Sequence, residues 1–195
     1  VNCYPVPWDI TTTFGHGASR APEKIQSNFH QLDHMHPFQN RHFDIHFLES
    51  NKTIQSLQNT FCSDSHQIID FLNNNKKLSN SLEDRLVEIN HAGSKLNQIV
   101  YNDCSSYLKT SPLLLCGGEH GVGIGYVRAL ADQYSSFSIL QIDAHLDCRV
   151  QYFGYDYSHA SVMTHYSTFK QVNTVTQVGI RDYDQSELDY IKNSK

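Results

Sequence analysis

An α/β fold in three layers, with helices on both faces of a central and mainly parallel sheet, is predicted by three features of this 195-residue sequence. Short apolar runs alternate with helical stretches through the second half: PLLLC at 112–116, FSILQID at 137–143 and TVTQVGI at 174–180. These runs lack the in–out alternation of a half-exposed strand, the pattern of parallel strands covered on both faces. Polar and glycine-bearing segments follow the strands directly, at the strand ends where parallel sheets collect ligands.

The elements follow in chain order. VNCYPVPW reads as a short strand whose regular pairing Pro5 and Pro7 limit. TTTFGHGASRAP, residues 11–22, reads as a loop from its Thr, Gly and Ser content and its closing Pro22. A helix is expected over 53–73, because Ile54, Leu57, Phe61, Ile68 and Leu72 fall largely on one face. NNNKKLSNS breaks it. Leu82, Leu86, Ile89, Leu96, Val100, Cys104 and Tyr107 then mark a long amphipathic helix, with a break expected near Gly93 and His91 expected near the inner face as a packing residue. Helices are expected again over 126–134 and 158–169, between the strands already named. The length suits one domain over 1–195 with a sizeable core.

Composition narrows the function. The chain is 39% hydrophobic and 18% charged, with a net charge of −5. Nothing in that balance favours a nucleic acid or an anionic membrane as partner. No apolar run approaches the length of a membrane span, and no secretory signal opens the chain. The five cysteines (Cys3, Cys62, Cys104, Cys116, Cys148) are scattered and odd in number, without CxxC spacing. That disfavours a disulfide framework and points to a reducing, cytoplasmic setting, with the cysteines as small apolar fillers and Cys148 close to the site described next. The chain begins at Val1 in apolar sequence, which reads as a fragment.

The chemistry is concentrated after the strands. LQIDAHLDCR sets Asp143, His145 and Asp147 at alternate positions beyond an apolar strand. If extended geometry persists, all three share one face. A divalent metal would offset their desolvation and repulsion, and an imidazole with carboxylates suits Mn²⁺ or a related ion better than a thiolate-rich zinc site. PLLLC ends in Gly117-Gly118-Glu119-His120, where the glycines permit a tight turn. His120 is expected on a strand beside the DAHLD strand, which makes it a fourth ligand. His30, His34, His36, His42 and His46 cluster in sequence, but their irregular spacing in polar surroundings reads as a solvated loop.

GGEH (117–120), DAHLD (143–147), YSHASVM (157–163) and QVGIRDYD (177–184) together resemble the ureohydrolase family of arginases and agmatinases. PWDITTTFGHGASRAPEKI (7–25) is similar to that family's N-terminal stretch, whereas 31–100 carries no recognised motif. The resemblance implies an arginase-like fold and two Mn²⁺ per complete active site, with His120, Asp143, His145 and Asp147 as ligands. It implies a proton-transfer role for His159, with Ser158 in the same loop, and a carboxylate at Asp184 beside the substrate's amine-bearing end. The implied reaction is hydrolysis at a guanidinium carbon by activated water, releasing urea and an amine. The implied partners are a small cationic guanidino substrate and further copies of the chain, as a trimer or hexamer.

One departure is large. The family supplies two later aspartates in a D-x-D pattern and a further acid, and no such segment follows here before Lys195. Asp182 and Asp184 have the spacing but follow GIR, where the family has its substrate loop. The fold is therefore expected to be incomplete at its C-terminus, and the 195-residue chain alone inactive. Arg149 stands where arginases carry an asparagine, and the Y-x-G before the SHA loop is agmatinase-like, so agmatine is the expected substrate and putrescine the product. Arg149 reads equally as a substrate contact or as an ion-pair partner. Arginase, guanidinobutyrase and formiminoglutamase activities stay open as alternatives. So do a zinc deacetylase on a related fold and a catalytically silent family member.

Overall fold

The computed structural model describes residues 1–33, 35, 38 and 42–194. His34 and His36 of the histidine-rich segment lie outside the described residues. Five parallel-paired strands and six helices carry the described fold: β1 (Asn2–Val6), α1 (Ala21–Asn28), β2 (His46–Phe47), α2 (Lys52–Asn73), α3 (Asn80–Tyr107), β3 (Leu113–Gly117), α4 (Gly123–Gln133), β4 (Phe137–Ile142), α5 (Val162–Tyr166), β5 (Val172–Val178) and α6 (Gln185–Asn193).

The strands form two sheets. β1 lies between β2 and β3, and β4 pairs with β5; every pairing within a sheet is parallel. The expectation that the GGEH strand neighbours the DAHLD strand is corrected here, because β3 and β4 belong to different sheets. A groove of about 440 Å³ runs along β4, lined by Phe137 to Asp143 and by His120, Tyr126, Val127 and Leu130.

Two apolar cores match the two sheets. In the first, Tyr4, Val6, Trp8 and Ile10 pack with Ile54, Phe61, Ile68 and Ile69 of α2 and with Ile89, Leu96 and Val100 of α3. The second gathers Ile124, Val127, Leu146, Cys148, Val162, Met163 and Tyr166. Helix α4 serves both, giving Ala129 to the first and Val127 to the second. Each fully buried Ile or Val of these cores contributes about 1.5–3 kcal/mol relative to exposure.

Local chemistry explains most element limits. The side chains of Asn51 and Ser79 accept the backbone N–H groups of Thr53 and Leu82, capping α2 and α3. Helix α3 runs without a break through Gly93, because that glycine is a packing contact: a Cβ there would lie 3.2 Å from the Tyr157 ring. His91 is exposed, not at the inner face. Pro22 opens α1 instead of closing a loop; proline's missing N–H costs nothing in a first helical turn. The expected 158–169 helix is a 3-10 turn at His159–Ser161 followed by the short α5.

No helix among the described residues is long and apolar enough to cross a membrane. All five cysteines are free.

Candidate functional site

The site is assembled where the two sheets meet. From the first sheet, β3 ends in Gly117 and the chain passes tightly beneath the β1 loop. A Cβ on Gly118 would lie 2.3 Å from the Trp8 carbonyl oxygen, so only glycine fits. The Glu119 backbone N–H donates to that same carbonyl at 2.9 Å, which delivers His120 to the edge of the groove. The loop after β1 is pinned by buried Asp9, whose Oδ2 accepts the backbone N–H groups of Gly17 and Ser19 at 2.9 Å each.

From the second sheet, β4 leads into the DAHLD segment. Extended geometry does not persist there, because the chain bends at Ala144 and Asp147 adopts a left-handed φ of 52°. Alternate side chains therefore do not all share one face. His120 Nδ1 lies 2.7 Å from Asp147 Oδ2 and 3.6 Å from Asp143 Oδ2. Ligand atoms of His120, Asp143 and Asp147 lie within 4.8 Å of one another, the one such set of three or more among the described residues. His145 is outside that set. Its ring lies 3.5 Å from Asp143 Oδ1 through Nδ1 and 3.7 Å from Asp182 Oδ2 through Nε2. Asp143 thus presents one carboxylate oxygen to each histidine. Asp182 reaches His145 because the chain beyond β5 continues beside the DAHLD segment, with the Arg181 and Asp182 N–H groups donating to the Ala144 carbonyl.

Burial opposes ionisation of Asp143, but hydrogen bonds from the His145 N–H and the Gln141 side chain, with His120 nearby, outweigh it and hold the carboxyl below its usual range. One imidazole and two carboxylates, one of them ionised well into acid, are a donor set that fits a hard or borderline divalent cation.

Beside this cluster lies a cavity of about 530 Å³, lined among others by Thr12, His145, Asp147, Arg149, Tyr152 and His159. His159 is fixed by the Ser158–Ser161 turn and by Thr11. Its backbone N–H donates to Thr11 Oγ1 at 3.0 Å, and its Nδ1 lies 3.2 Å from the same oxygen. Burial pushes the His159 pKa below its ordinary 6.5, so the ring is neutral at neutral pH.

Two residues expected at the substrate are occupied elsewhere. Ser158 is fully buried and absent from the cavity lining; its hydroxyl oxygen caps the 3-10 turn by accepting the Ala160 N–H. Asp184 caps α6, accepting from the Ser186 and Glu187 N–H groups, and its other oxygen pairs with Arg149 Nη2 at 2.6 Å. The Ser186 hydrogen bonds lead the causes that hold its carboxyl below the usual range. Arg149 also stacks its guanidinium 4.6 Å from the Tyr152 ring centroid. Cys148 is buried under the site, where desolvation pushes its thiol up to about 12 and keeps it inert.

Sequence reasoning passed over Thr11, Glu119 and Glu187. Glu187 is buried; its Oε1 accepts the Cys148 N–H at 3.0 Å, tying α6 to the DAHLD loop. The buried carboxyl of Glu119 is raised to about 8 by desolvation. The exposed rings of His30, His42 and His46 form no ligand cluster with other described residues.

Comparison with known proteins places the fold. An N(1)-aminopropylagmatine ureohydrolase of Thermus thermophilus is 27% identical over 191 residues, covering 94% of this chain and 52% of that protein. An agmatinase of Bacillus subtilis is 32% identical over 76 residues, 39% of this chain and 26% of that one. Among solved structures, an arginase from Medicago truncatula superposes with a TM-score of 0.71 at 18% identity, over 99% of this chain and 54% of that one. An agmatine ureohydrolase of Thermoplasma volcanium gives 0.67 at 19% identity, over 98% and 54%. The chain therefore spans about half the length of these fuller matches. The arginase family model matches residues 1–195, and the chain belongs to the arginase family.

Proposed function

We propose that this chain carries one part of the centre of a manganese-dependent ureohydrolase that converts agmatine and water to putrescine and urea. The observation that carries the reading is the convergence of His120, Asp143 and Asp147 beside a cavity that also holds His159. In the proposed centre these three residues and His145 would hold the metal, with one oxygen of Asp143 turned toward each of the two histidines. Bound manganese would supply a nucleophile from water at neutral pH.

The chain's own groups do the rest. His159, kept neutral by burial, takes and returns the proton that the leaving amine needs. Agmatine is favoured over arginine because Arg149, the guanidinium lining the cavity, is already paired with Asp184 and is not free for an α-carboxylate. The Thermus and Bacillus relatives, an aminopropylagmatine ureohydrolase and an agmatinase, support the same substrate class. The whole protein is proposed to be a cytoplasmic homo-oligomer, trimeric or hexameric.

Titrating metal-stripped protein with Mn²⁺ while measuring urea from agmatine and from arginine tests this reading. For the 195-residue chain we expect one weak site, from the three convergent donors, and little urea. For a protein of the relatives' full length we expect two ions and agmatine-dependent urea. Absence of any Mn²⁺ binding in either would overturn the reading.

A further inference from the structure

We infer that Thr11 is a positioning residue which, by relaying His159 to the buried carboxyl of Glu119, fixes the His159 ring with its proton on Nδ1 and leaves Nε2 free to accept a proton. The inference rests on the reading of His159 as the proton-transfer group, and it comes from counting protons on one oxygen.

Thr11 Oγ1 has one hydrogen and two lone pairs. One lone pair accepts the His159 backbone N–H at 3.0 Å. Two partners remain, Glu119 Oε2 at 3.0 Å and His159 Nδ1 at 3.2 Å. The single hydroxyl hydrogen can go to only one of them, and the other must donate.

Glu119 Oε2 is the better acceptor. The Thr11 backbone N–H already donates to it at 2.8 Å. Glu119 Oε1, by contrast, is buried without a hydrogen-bond partner among the described residues. Ionised, or neutral with its proton on Oε1, Glu119 presents Oε2 as an oxygen that accepts; a proton on Oε2 would leave the Thr11 N–H donating to a poorly accepting hydroxyl oxygen. The Thr11 hydroxyl hydrogen then points to Oε2, and its remaining lone pair must receive a proton from Nδ1. A neutral imidazole with Nδ1–H has its lone pair on Nε2. His159 lines the cavity, so the relay presets the tautomer that a general base requires.

The chain brings these parts together from three distant segments. Thr11 follows the buried Trp8–Ile10 stretch, and Glu119 is held by the Trp8 carbonyl. A Cβ on Gly121 would lie 3.1 Å from Oε1, so that glycine leaves room for the carboxyl. Thr11 itself is only 4% exposed, which keeps competing water away from its hydroxyl.

Nitrogen-detected NMR of the ¹⁵N-histidine-labelled, metal-free chain tests the relay without any turnover. The wild-type chain at neutral pH should show His159 with a protonated Nδ1 and an unprotonated Nε2. Thr11→Val keeps the shape and the backbone N–H but removes the hydroxyl, and should abolish that preference. Thr11→Ser should restore it. A wild-type signal with the proton on Nε2 would overturn the inference, as would an unchanged tautomer in Thr11→Val. If Thr11→Val does not fold, the wild-type signal decides alone. Urea release is a separate measurement, so failure of the proposed reaction leaves the tautomer result standing or falling by itself.

Discussion

The two sheets are built from strands that look alike in sequence and are treated differently by the fold. In the first, β1 is paired on both edges, and Tyr4 and Val6 vanish into a core closed by α2 and α3. In the second, β4 has a single described strand partner, and Leu140 and Ile142 remain 63% and 79% exposed. An apolar run specifies a strand that can be buried on both faces; it does not specify what covers it. The candidate site takes one histidine from the well-covered half and its carboxylates from the other, so its geometry depends on how the halves meet.

The largest expected effect breaks this asymmetry directly. Ile68→Ala, in the core between α2 and the first sheet, should cost about 2–5 kcal/mol through lost burial and a residual cavity. Leu140→Ala, on the exposed face of β4, should change stability by no more than about 0.5 kcal/mol. Urea denaturation of both variants measures the difference. Equal losses would mean that the β4 face is covered in solution, and the contrast between the sheets would fall.

A second experiment acts where the halves join. His120→Ala removes the only donor that the first half gives to the convergent set. The affinity for Mn²⁺ should fall by at least the roughly 10–100-fold that loss of an outer partner already costs. His159→Gln should leave metal binding nearly unchanged, since His159 is outside that set. Calorimetric titration of both variants separates the two roles. Comparable affinity losses would place His159 at the metal instead of at the proton.

The pH dependence of stability follows from His159. Burial lowers its pKa in the folded chain below the ordinary 6.5. The neutral ring is therefore favoured by folding. This contribution is fully present above pH 6.5 and is lost as pH falls through the lower folded value, because the unfolded chain binds the proton first. Wild-type Tm should drop more steeply than that of His159→Gln as pH falls below 6.5. Parallel acid branches would mean that the ring titrates normally.

How much of this was legible in the sequence depends on distance along the chain. GGEH and DAHLD each set candidate metal donors within a few residues, and the structure brings His120 to Asp143 and Asp147. The placement of His145 was not legible, because alternation assumes an extended backbone and the chain bends at Ala144, between Asp143 and His145. The relay of Thr11, Glu119 and His159 joins residues 108 and 148 positions apart, and no local pattern signals it. Helix α1 was missed since Pro22 has the same letter whether it ends a loop or starts a helix. The division of the strands into two sheets was hidden for a related reason. Pairing depends on which edges meet, and a run such as PLLLC or FSILQID carries no record of its neighbour.

The smallest expected effect concerns the link between α6 and the cavity. Asp184 has two tasks, capping α6 through Oδ1 and pairing with Arg149 through Oδ2. The cap is the firmer of the two, because the ion pair is partly exposed and such pairs contribute about 0–1 kcal/mol. Asp184→Asn keeps a capping oxygen and removes the charge, whereas Asp184→Ala removes both. The alanine variant should lose about 1 kcal/mol, the usual cost of an N-cap, and the asparagine variant only a few tenths. Arg149 would still have Glu187 Oε2 at 3.9 Å from its Nε, so its guanidinium should stay over Tyr152 in both. Urea melts of the two variants resolve the order. If asparagine costs as much as alanine, the charge pair holds α6 against the DAHLD loop, and the second half of the molecule is tied to its site by electrostatics instead of by helix capping.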